Sequence, residues 1–99
     1  MIKRIVLMEL KPGNEAIFLD IFDQVKSEIR TQKGCMGIEL LRSNMNEKIS
    51  LWTISSWQSE EDLETYRSSS LFQKTWASVK SLFSDKARAW TLTSIETLT

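Results

Sequence analysis

Several β-rich segments of this chain carry apolar residues on both faces of the strand, and this feature constrains the fold most strongly. In the first segment, residues 2–10, Val6 and Met8 share one face while Ile5 and Leu7 lie on the other. The same pattern recurs in residues 35–42 and 49–57. A sheet built from such strands cannot leave either face in water without exposing a large apolar patch. We therefore expect both faces to be covered.

Two amphipathic helices alternate with these strands. After a turn at residues 11–14, apolar residues recur at three- and four-residue steps up to Ile29, which predicts a helix of about five turns capped by Asn14. Ser59 precedes three acidic residues and therefore caps the second helix. Three serines at 68–70 interrupt that helix, and residues 72–83 continue it. A turn at residues 43–47 separates the second and third strands, and residues 89–98 form the last strand.

The order strand, helix, strand, strand, helix, strand is that of a ferredoxin-like βαββαβ fold. This is an α+β architecture with a four-stranded antiparallel sheet and helices on one face. No repeat or linker divides the chain, so residues 1–99 are expected to form a single domain. Since the helices cover one face, a second sheet should cover the other. We predict a homodimer whose two sheets pack face to face as a dimeric α/β barrel.

The composition excludes several classes of function. The 13 basic and 13 acidic residues cancel, which provides no basic surface for nucleic acid or anionic lipid. The sequence contains no apolar run long enough to span a membrane, and its one cysteine, Cys35, cannot form an internal disulfide. We expect a cytoplasmic protein, since no signal-peptide pattern follows Met1. We expect no metal or cofactor site, because histidine is absent and no nucleotide-binding motif is present.

All four tryptophans lie between positions 52 and 90. Large rings at helical and strand spacing fill a core or line an apolar pocket. Trp57, at the end of the third strand, fits either role. Trp76 shares a helical stripe with other apolar residues, which favours a core position. The phenol of Tyr66 needs a hydrogen-bond partner whether it has a structural or a catalytic role.

The aromatic-rich half of the chain resembles the antibiotic biosynthesis monooxygenase family of dimeric α/β barrels. The resemblance extends over essentially the whole chain, including the turns at Pro12-Gly13 and Lys33-Gly34-Cys35. It is carried by Trp57-Gln58-Ser59-Glu60, Tyr66-Arg67, Leu71-Phe72, Thr75-Trp76, Leu82-Phe83 and Ala89-Trp90. The resemblance implies oxidation of a small aromatic or polyketide- or quinone-like molecule by O2, without metal or flavin.

The same resemblance implies roles for individual residues. Trp57 is similar to the tryptophan that family enzymes place over the substrate, and Tyr66 would donate a hydrogen bond to a developing oxyanion. These two are the candidate catalytic residues. Arg42 or Arg67 would neutralise the oxyanion. The candidate substrate-binding residues are Val6, Met8, Phe22, Phe72, Trp76 and Arg42.

Three departures from the family pattern narrow the chemistry. Haem-degrading relatives carry a histidine ligand and an asparagine where this chain has Trp76 and Val6, so haem degradation is not expected. Other relatives carry a histidine before the strand-three tryptophan, at the position of Ser56 here. Any proton must therefore pass to Tyr66, a carboxylate or water.

Two other functions remain open from the sequence. The chain could be a small-ligand-binding or stress-response dimer that holds an apolar molecule without converting it. It could also be a purely structural dimerisation module, which needs the apolar sheet face but no cavity of ligand size. The space around Trp57, Tyr66, Phe22 and Trp76 distinguishes these alternatives.

Overall fold

The computed structural model describes residues 1–45 and 47–99 and contains four strands and three α-helices in that part of the chain. A short 3-10 helix, Lys80–Leu82, follows the last α-helix. The elements in chain order are β1 (Ile2–Glu9), α1 (Glu15–Arg30), β2 (Cys35–Met45), β3 (Lys48–Trp57), α2 (Glu60–Arg67), α3 (Ser70–Val79) and β4 (Arg88–Thr93).

The four strands form one antiparallel sheet in the order β2-β3-β1-β4. The central strand β1 pairs with β3 from Ile2 opposite Trp57 to Glu9 opposite Ser50. On its other edge, β1 pairs with β4, where Val6 lies opposite Ala89. This strand order and the helices on one face confirm the α+β ferredoxin-like fold predicted from the sequence.

Of the two helix caps predicted from the sequence, one is present and the other is absent. Ser59 Oγ accepts a hydrogen bond from the backbone N–H of Asp62 at 3.1 Å, as expected for the cap of α2. The predicted cap at Asn14 is wrong. Its backbone is helical rather than extended, so its side chain does not meet the free N–H groups of α1. The Asn14 side-chain amide instead donates to the backbone carbonyl of Leu82 at 3.1 Å.

Strand ends differ from the predicted ones where pairing decides them. β2 extends to Met45 because β3 continues to pair with it. The turn predicted at residues 43–47 includes Asn46, which lies outside the described residues. The prediction that β4 extends to residue 98 is wrong, since its partner β1 begins at Ile2, which pairs with Thr93. The last ladder-like contact is the Ser94 N–H, which donates to the Met1 carbonyl at 2.9 Å.

The helix-facing side of the sheet carries two clusters of buried side chains. One cluster joins β1, β3, α1 and α3, and the other joins β1, β2, the end of β3 and α2. The clusters consist, respectively, of Met8, Leu10, Phe18, Leu51, Val79 and Phe83, and of Ile2, Cys35, Trp57 and Leu63. Each holds one end of the helical layer against the sheet, and the space between them is therefore bounded by both.

The opposite face of the sheet is apolar and partly exposed. Leu41, Trp90 and Leu92 are 38%, 41% and 50% exposed, and the Trp90 ring stacks on Trp52 with centroids 6.4 Å apart. This face is therefore apolar, as predicted from the sequence. An apolar patch of this kind is unfavourable in water. Within the described part of the chain, no helix combines the length and the apolar composition needed to cross a membrane.

Candidate functional site

A cavity of about 290 Å³ lies between the helical layer and the sheet. Its size is near the lower end of the range for small-molecule sites, and its lining is mostly apolar. The sheet contributes Arg4, Val6, Ile38, Thr53, Ser55, Trp57 and Ala89, with Ala87 just before β4. The helices contribute Phe18, Ile21, Phe22, Ile29, Leu63, Tyr66, Arg67, Phe72, Thr75, Trp76 and Val79.

A continuous series of aromatic rings forms one wall of this cavity. Trp57 stacks on Tyr66 with ring centroids 5.0 Å apart, and Tyr66 meets Phe72 edge to face at 5.3 Å. Phe72 stacks in turn on Trp76 at 6.0 Å with the planes 7° apart. Offset and edge-to-face pairs at such distances are the favoured geometries of aromatic rings. The wall therefore presents flat, polarisable surface suited to a planar apolar molecule.

Trp57 is held rigidly at the end of β3. It is fully buried, and its indole N–H donates to Ser55 Oγ at 2.9 Å. Ser55 is two residues earlier on the same strand and therefore on the same face. Because Ser55 satisfies this N–H, Trp57 contributes ring surface rather than a free donor to the cavity.

Tyr66, on α2, stays in its neutral form over the physiological range. Burial raises the pKa of the Tyr66 phenol to about 12, and the nearby Cys35 adds to the increase. A phenol with so high a pKa is a poor general base at neutral pH, but it remains a hydrogen-bond donor. Donation of a hydrogen bond to an oxyanion is the role that the family resemblance implies for Tyr66, and it stays a prediction.

Two arginines supply the charge of the cavity lining. Arg4 lies on β1 and donates through Nη1 to Thr91 Oγ1 at 2.7 Å, while Arg67 on α2 donates through Nη1 to Glu64 Oε1 at 2.9 Å. Burial lowers the pKa of Arg4, the positive charge of Arg67 lowers it further, and the carboxylate of Glu64 opposes the decrease. The two guanidinium groups are therefore close enough to repel each other.

The structure brings most of the sequence-predicted site residues together. Trp57, Tyr66 and the predicted substrate-binding residues Val6, Phe22, Phe72 and Trp76 all line this cavity. Arg67, the alternative to Arg42, lines it as well.

Met8 and Arg42 lie elsewhere. Met8 is 3% exposed within the core cluster that includes Phe83. Arg42 is exposed near the far end of β2, where its guanidinium pairs with Glu15 at the start of α1. Both residues share the sheet face of the cavity, but they are located toward the other end of their strands, beyond the cavity lining.

Four polar residues of the lining, Arg4, Thr53, Ser55 and Thr75, were not among the site residues predicted from the sequence. Arg4 interrupts the apolar face of β1 between Ile2 and Val6, and a charged residue on an otherwise apolar face is a signal that can be seen in the sequence. Ser55 alternates with Trp57 on β3, which places both on one face. No sequence pattern, however, indicates that the serine hydroxyl accepts the indole N–H.

The lining favours binding and stabilisation of an anion over acid–base catalysis by the protein. Among the described residues that line the cavity, none is a carboxylate, and the chain contains no histidine. Within the same part of the chain, no three His, Cys, Asp or Glu side chains are grouped to hold a metal ion. The cavity offers aromatic surface, a neutral phenol donor and two guanidinium groups.

Known structures share the fold over almost the full length of the chain. A conserved protein from Methanosarcina mazei Go1 is 16% identical with a TM-score of 0.84, covering 92% of this chain and 89% of its own. Rv0793 from Mycobacterium tuberculosis is 17% identical with a TM-score of 0.84, covering 99% and 98%. A mutant of SnoaB, a cofactor-independent oxygenase from Streptomyces nogalater, is 16% identical with a TM-score of 0.84, covering 98% and 95%. At these identities the likeness shows the fold alone.

The family is shown by sequence. No curated protein gives a significant match to the chain. Residues 1–78 of the 99 match the sequence model of the family described as antibiotic biosynthesis monooxygenase. The matched part includes β1 to β3, α2 and nearly all of α3, and thus most of the cavity lining. The chain therefore belongs to the antibiotic biosynthesis monooxygenase family.

Proposed function

We propose that this protein is a monooxygenase that needs no cofactor and oxidises a small aromatic or quinone-like molecule with O2. The observation that carries this proposal is the cavity of about 290 Å³ with its aromatic wall from Trp57 to Trp76. A purely structural module would need no such space. Family membership supports the monooxygenase class, and SnoaB, which has the same fold, is a cofactor-independent oxygenase.

The proposed reaction uses electrons from the substrate. A substrate such as an anthrone, whose CH2 group is conjugated with its carbonyl through the flanking aromatic rings, loses a proton from that group and becomes an enolate. The enolate transfers electrons to O2, a C–O bond forms, and cleavage of the O–O bond releases water and leaves a second carbonyl. The protein favours the enolate because Tyr66 donates a hydrogen bond to its oxygen and the guanidinium groups of Arg4 and Arg67 lower the energy of negative charge. The apolar lining limits contact of the intermediate with water.

The proton of the substrate passes to water in this account. Tyr66 is protonated at neutral pH because its pKa is about 12, and no described lining residue is a carboxylate. The enzyme therefore accelerates the reaction by lowering the energy of the anion rather than by supplying a strong base. Substrates that ionise readily are expected to be the ones oxidised.

We also propose that the active form is the homodimer predicted from the sequence. The outer sheet face exposes Leu41, Trp90 and Leu92, and Trp52 stacks on Trp90 beside them. Burying this surface against a second copy would remove apolar area from water on both partners and give a symmetric contact. The sheets of the two copies would then form the interior of a dimeric α/β barrel.

Oxygen consumption tests the proposed function. Purified protein is mixed with anthrone or a hydroquinone in the presence of a metal chelator, and O2 uptake is followed with an electrode. We expect uptake above the spontaneous rate, and a decrease of kcat of about tenfold or more in Tyr66→Phe, which loses the oxyanion donor. Thr65→Ala, an exposed change on the same helix, should retain activity. An uptake equal to the spontaneous rate with every substrate would refute the monooxygenase.

A second function, binding without conversion, is favoured by two observations. The Trp57 indole N–H is already engaged by Ser55, and the described lining contains no base. A protein that only holds an aromatic molecule needs neither. In that case a ligand bound to the wild type would be recovered unchanged after incubation in air, whereas the monooxygenase would return an oxidised product.

A further inference from the structure

The lining of the aromatic cavity also carries positive charge. Arg4 and Arg67 are the charged residues among the described lining, and both are positive. Glu64, outside the lining, forms an ion pair with Arg67 at 2.9 Å. One carboxylate therefore faces two guanidinium groups, and the cavity retains a net positive charge.

Both arginines have hydrogen-bond donors to spare. A guanidinium carries five N–H donors in a planar fork. The structure engages Arg4 Nη1 with Thr91 and Arg67 Nη1 with Glu64. The Nε of Arg67 is buried and has no acceptor among the described residues. A buried donor without a partner is unfavourable, so an acceptor on a ligand would stabilise this arrangement.

The two positive groups also repel each other. Arg67 acts on Arg4 strongly enough to lower its pKa, and burial lowers it as well. A negative group between them would reverse both unfavourable effects, since it attracts each guanidinium and satisfies free donors. Planar carboxylates match the guanidinium fork in geometry and form charge-assisted hydrogen bonds with it.

The position of the arginines relates the charge to the aromatic wall. Arg67 follows Tyr66 directly on α2, and Arg4 lies opposite Ser55, which accepts the Trp57 indole N–H. An anionic group held by both arginines would thus lie at the Trp57 and Tyr66 end of the cavity. A ring attached to that group would extend toward Phe72 and Trp76.

We propose that the cavity takes an aromatic carboxylic acid, whose carboxylate is bound by Arg4 and Arg67 and whose ring lies against the aromatic wall. This proposal rests on the proposed function only in that it names the substrate class of the same cavity. The proposal concerns binding, and it applies equally if the ligand is held without being oxidised.

Two probes of equal shape and different charge test the proposal. The Kd values of 2-naphthoate and of its neutral isostere 2-naphthamide are measured by isothermal titration calorimetry at neutral pH and low salt. We expect wild-type protein to bind the carboxylate at least about tenfold more tightly, the effect of one charge-assisted hydrogen bond. Raising the salt concentration should weaken binding of naphthoate more than of naphthamide.

Variants assign the preference to the two arginines. Arg4→Gln and Arg67→Gln should each remove most of the preference for the carboxylate, whereas Arg4→Lys should retain part of it because the charge remains. Lys74→Gln removes a positive charge from the exposed surface of α3 outside the cavity and should leave the preference unchanged. Thermal unfolding and circular dichroism identify variants that fail to fold, and the wild-type comparison does not depend on them.

The outcomes separate this proposal from the proposed function. Equal affinity for the two probes, binding of neither probe, or an unchanged preference in the double variant Arg4→Gln/Arg67→Gln would overturn the carboxylate site. A clear preference for naphthoate in a protein that consumes no O2 would support the carboxylate site while refuting the monooxygenase. Oxygen uptake with equal affinity for both probes would do the reverse.

Discussion

The ring of Trp57 stacks on the ring of Tyr66 with centroids 5.0 Å apart and planes 22° apart. This contact joins the end of β3 to the middle of α2 and so connects the sheet to the helical layer. Trp57 is fully buried, and its N–H donates to Ser55 Oγ. The Trp57 ring therefore holds Tyr66 in position.

Ser55→Ala should destabilise the protein by about 1–3 kcal/mol, because the buried indole N–H of Trp57 would lose its acceptor. Urea unfolding followed by tryptophan fluorescence measures this change. The neighbouring Ser56→Ala serves as the control, since Ser56 points to the other sheet face and accepts from Lys3 at a partly exposed position. An equal effect of the two substitutions would contradict the supporting role of Ser55.

The single tyrosine allows the state of Tyr66 to be measured directly. With its pKa raised to about 12, roughly one tenth of Tyr66 should be ionised at pH 11, whereas an exposed phenol would be mostly ionised. The absorbance of the phenolate near 295 nm reports the fraction, and Tyr66→Phe provides the baseline. A midpoint near the ordinary value of 10 would show that the phenol is not buried as described.

The same pKa has a consequence for stability. The unfolded chain releases the Tyr66 proton near pH 10, but the folded protein retains it to about pH 12. Folded stability is therefore unaffected by this group below pH 10 and decreases as the pH rises from 10 toward 12, by up to about 2 kcal/mol. The difference in unfolding free energy between the wild type and Tyr66→Phe, followed over this range, measures that decrease. A difference that stays constant with pH would exclude it.

Gly34→Ala should disturb the turn that faces α2. Gly34 has a φ of +80°, and an added Cβ would lie within 2.6 Å of Asp62 Cβ at the start of the helix. We expect a loss of at least about 2 kcal/mol, since steric overlap is added to left-handed backbone strain. Gly13→Ala, at φ +86° with no atom within 4 Å, has the strain alone and should lose about 1 kcal/mol. Thermal unfolding compares the two, and equal losses would argue against close packing of Gly34 on Asp62.

Trp90→Glu should convert the proposed homodimer to monomers. Trp90 is 41% exposed and stacks on Trp52 on the outer face of the sheet, where one carboxylate from each copy would be buried in the dimer interface. Sedimentation velocity at micromolar concentration should give a dimer for the wild type and a monomer for the variant. Lys26→Glu, on the exposed surface of α1, is the control that should stay dimeric. A monomeric wild type would refute the dimer.

Much of the architecture follows from local pattern in the sequence. Alternation in β1 identifies both apolar faces, and Ser59 before three acidic residues identifies the start of α2. Val6 on β1 and Trp57 on β3 lie on the same face of neighbouring strands, and both line the cavity. These features depend on neighbours close in sequence or fixed by strand pairing.

The remaining features depend on distance along the strands, which periodicity does not specify. Met8 shares a face with Val6 but lies two residues further along β1, in the core cluster that contains Phe83. Arg42 lies near the end of β2, where its guanidinium pairs with Glu15. Arg4 on β1 and Arg67 on α2 are far apart in the sequence, yet both line the cavity. The alternation pattern alone cannot show which end of the strands is filled by core and which is left open.

Isotope labelling shows whether O2 supplies the new oxygen atom of the product. Anthrone is incubated with the wild-type protein and a metal chelator under 18O2, and the product is analysed by mass spectrometry. If the protein is a monooxygenase, we expect one 18O atom in the new carbonyl of each product molecule, formed at a rate above the spontaneous reaction. Product formed no faster than in the absence of protein, or a new oxygen atom derived from water, would contradict the proposed monooxygenase function.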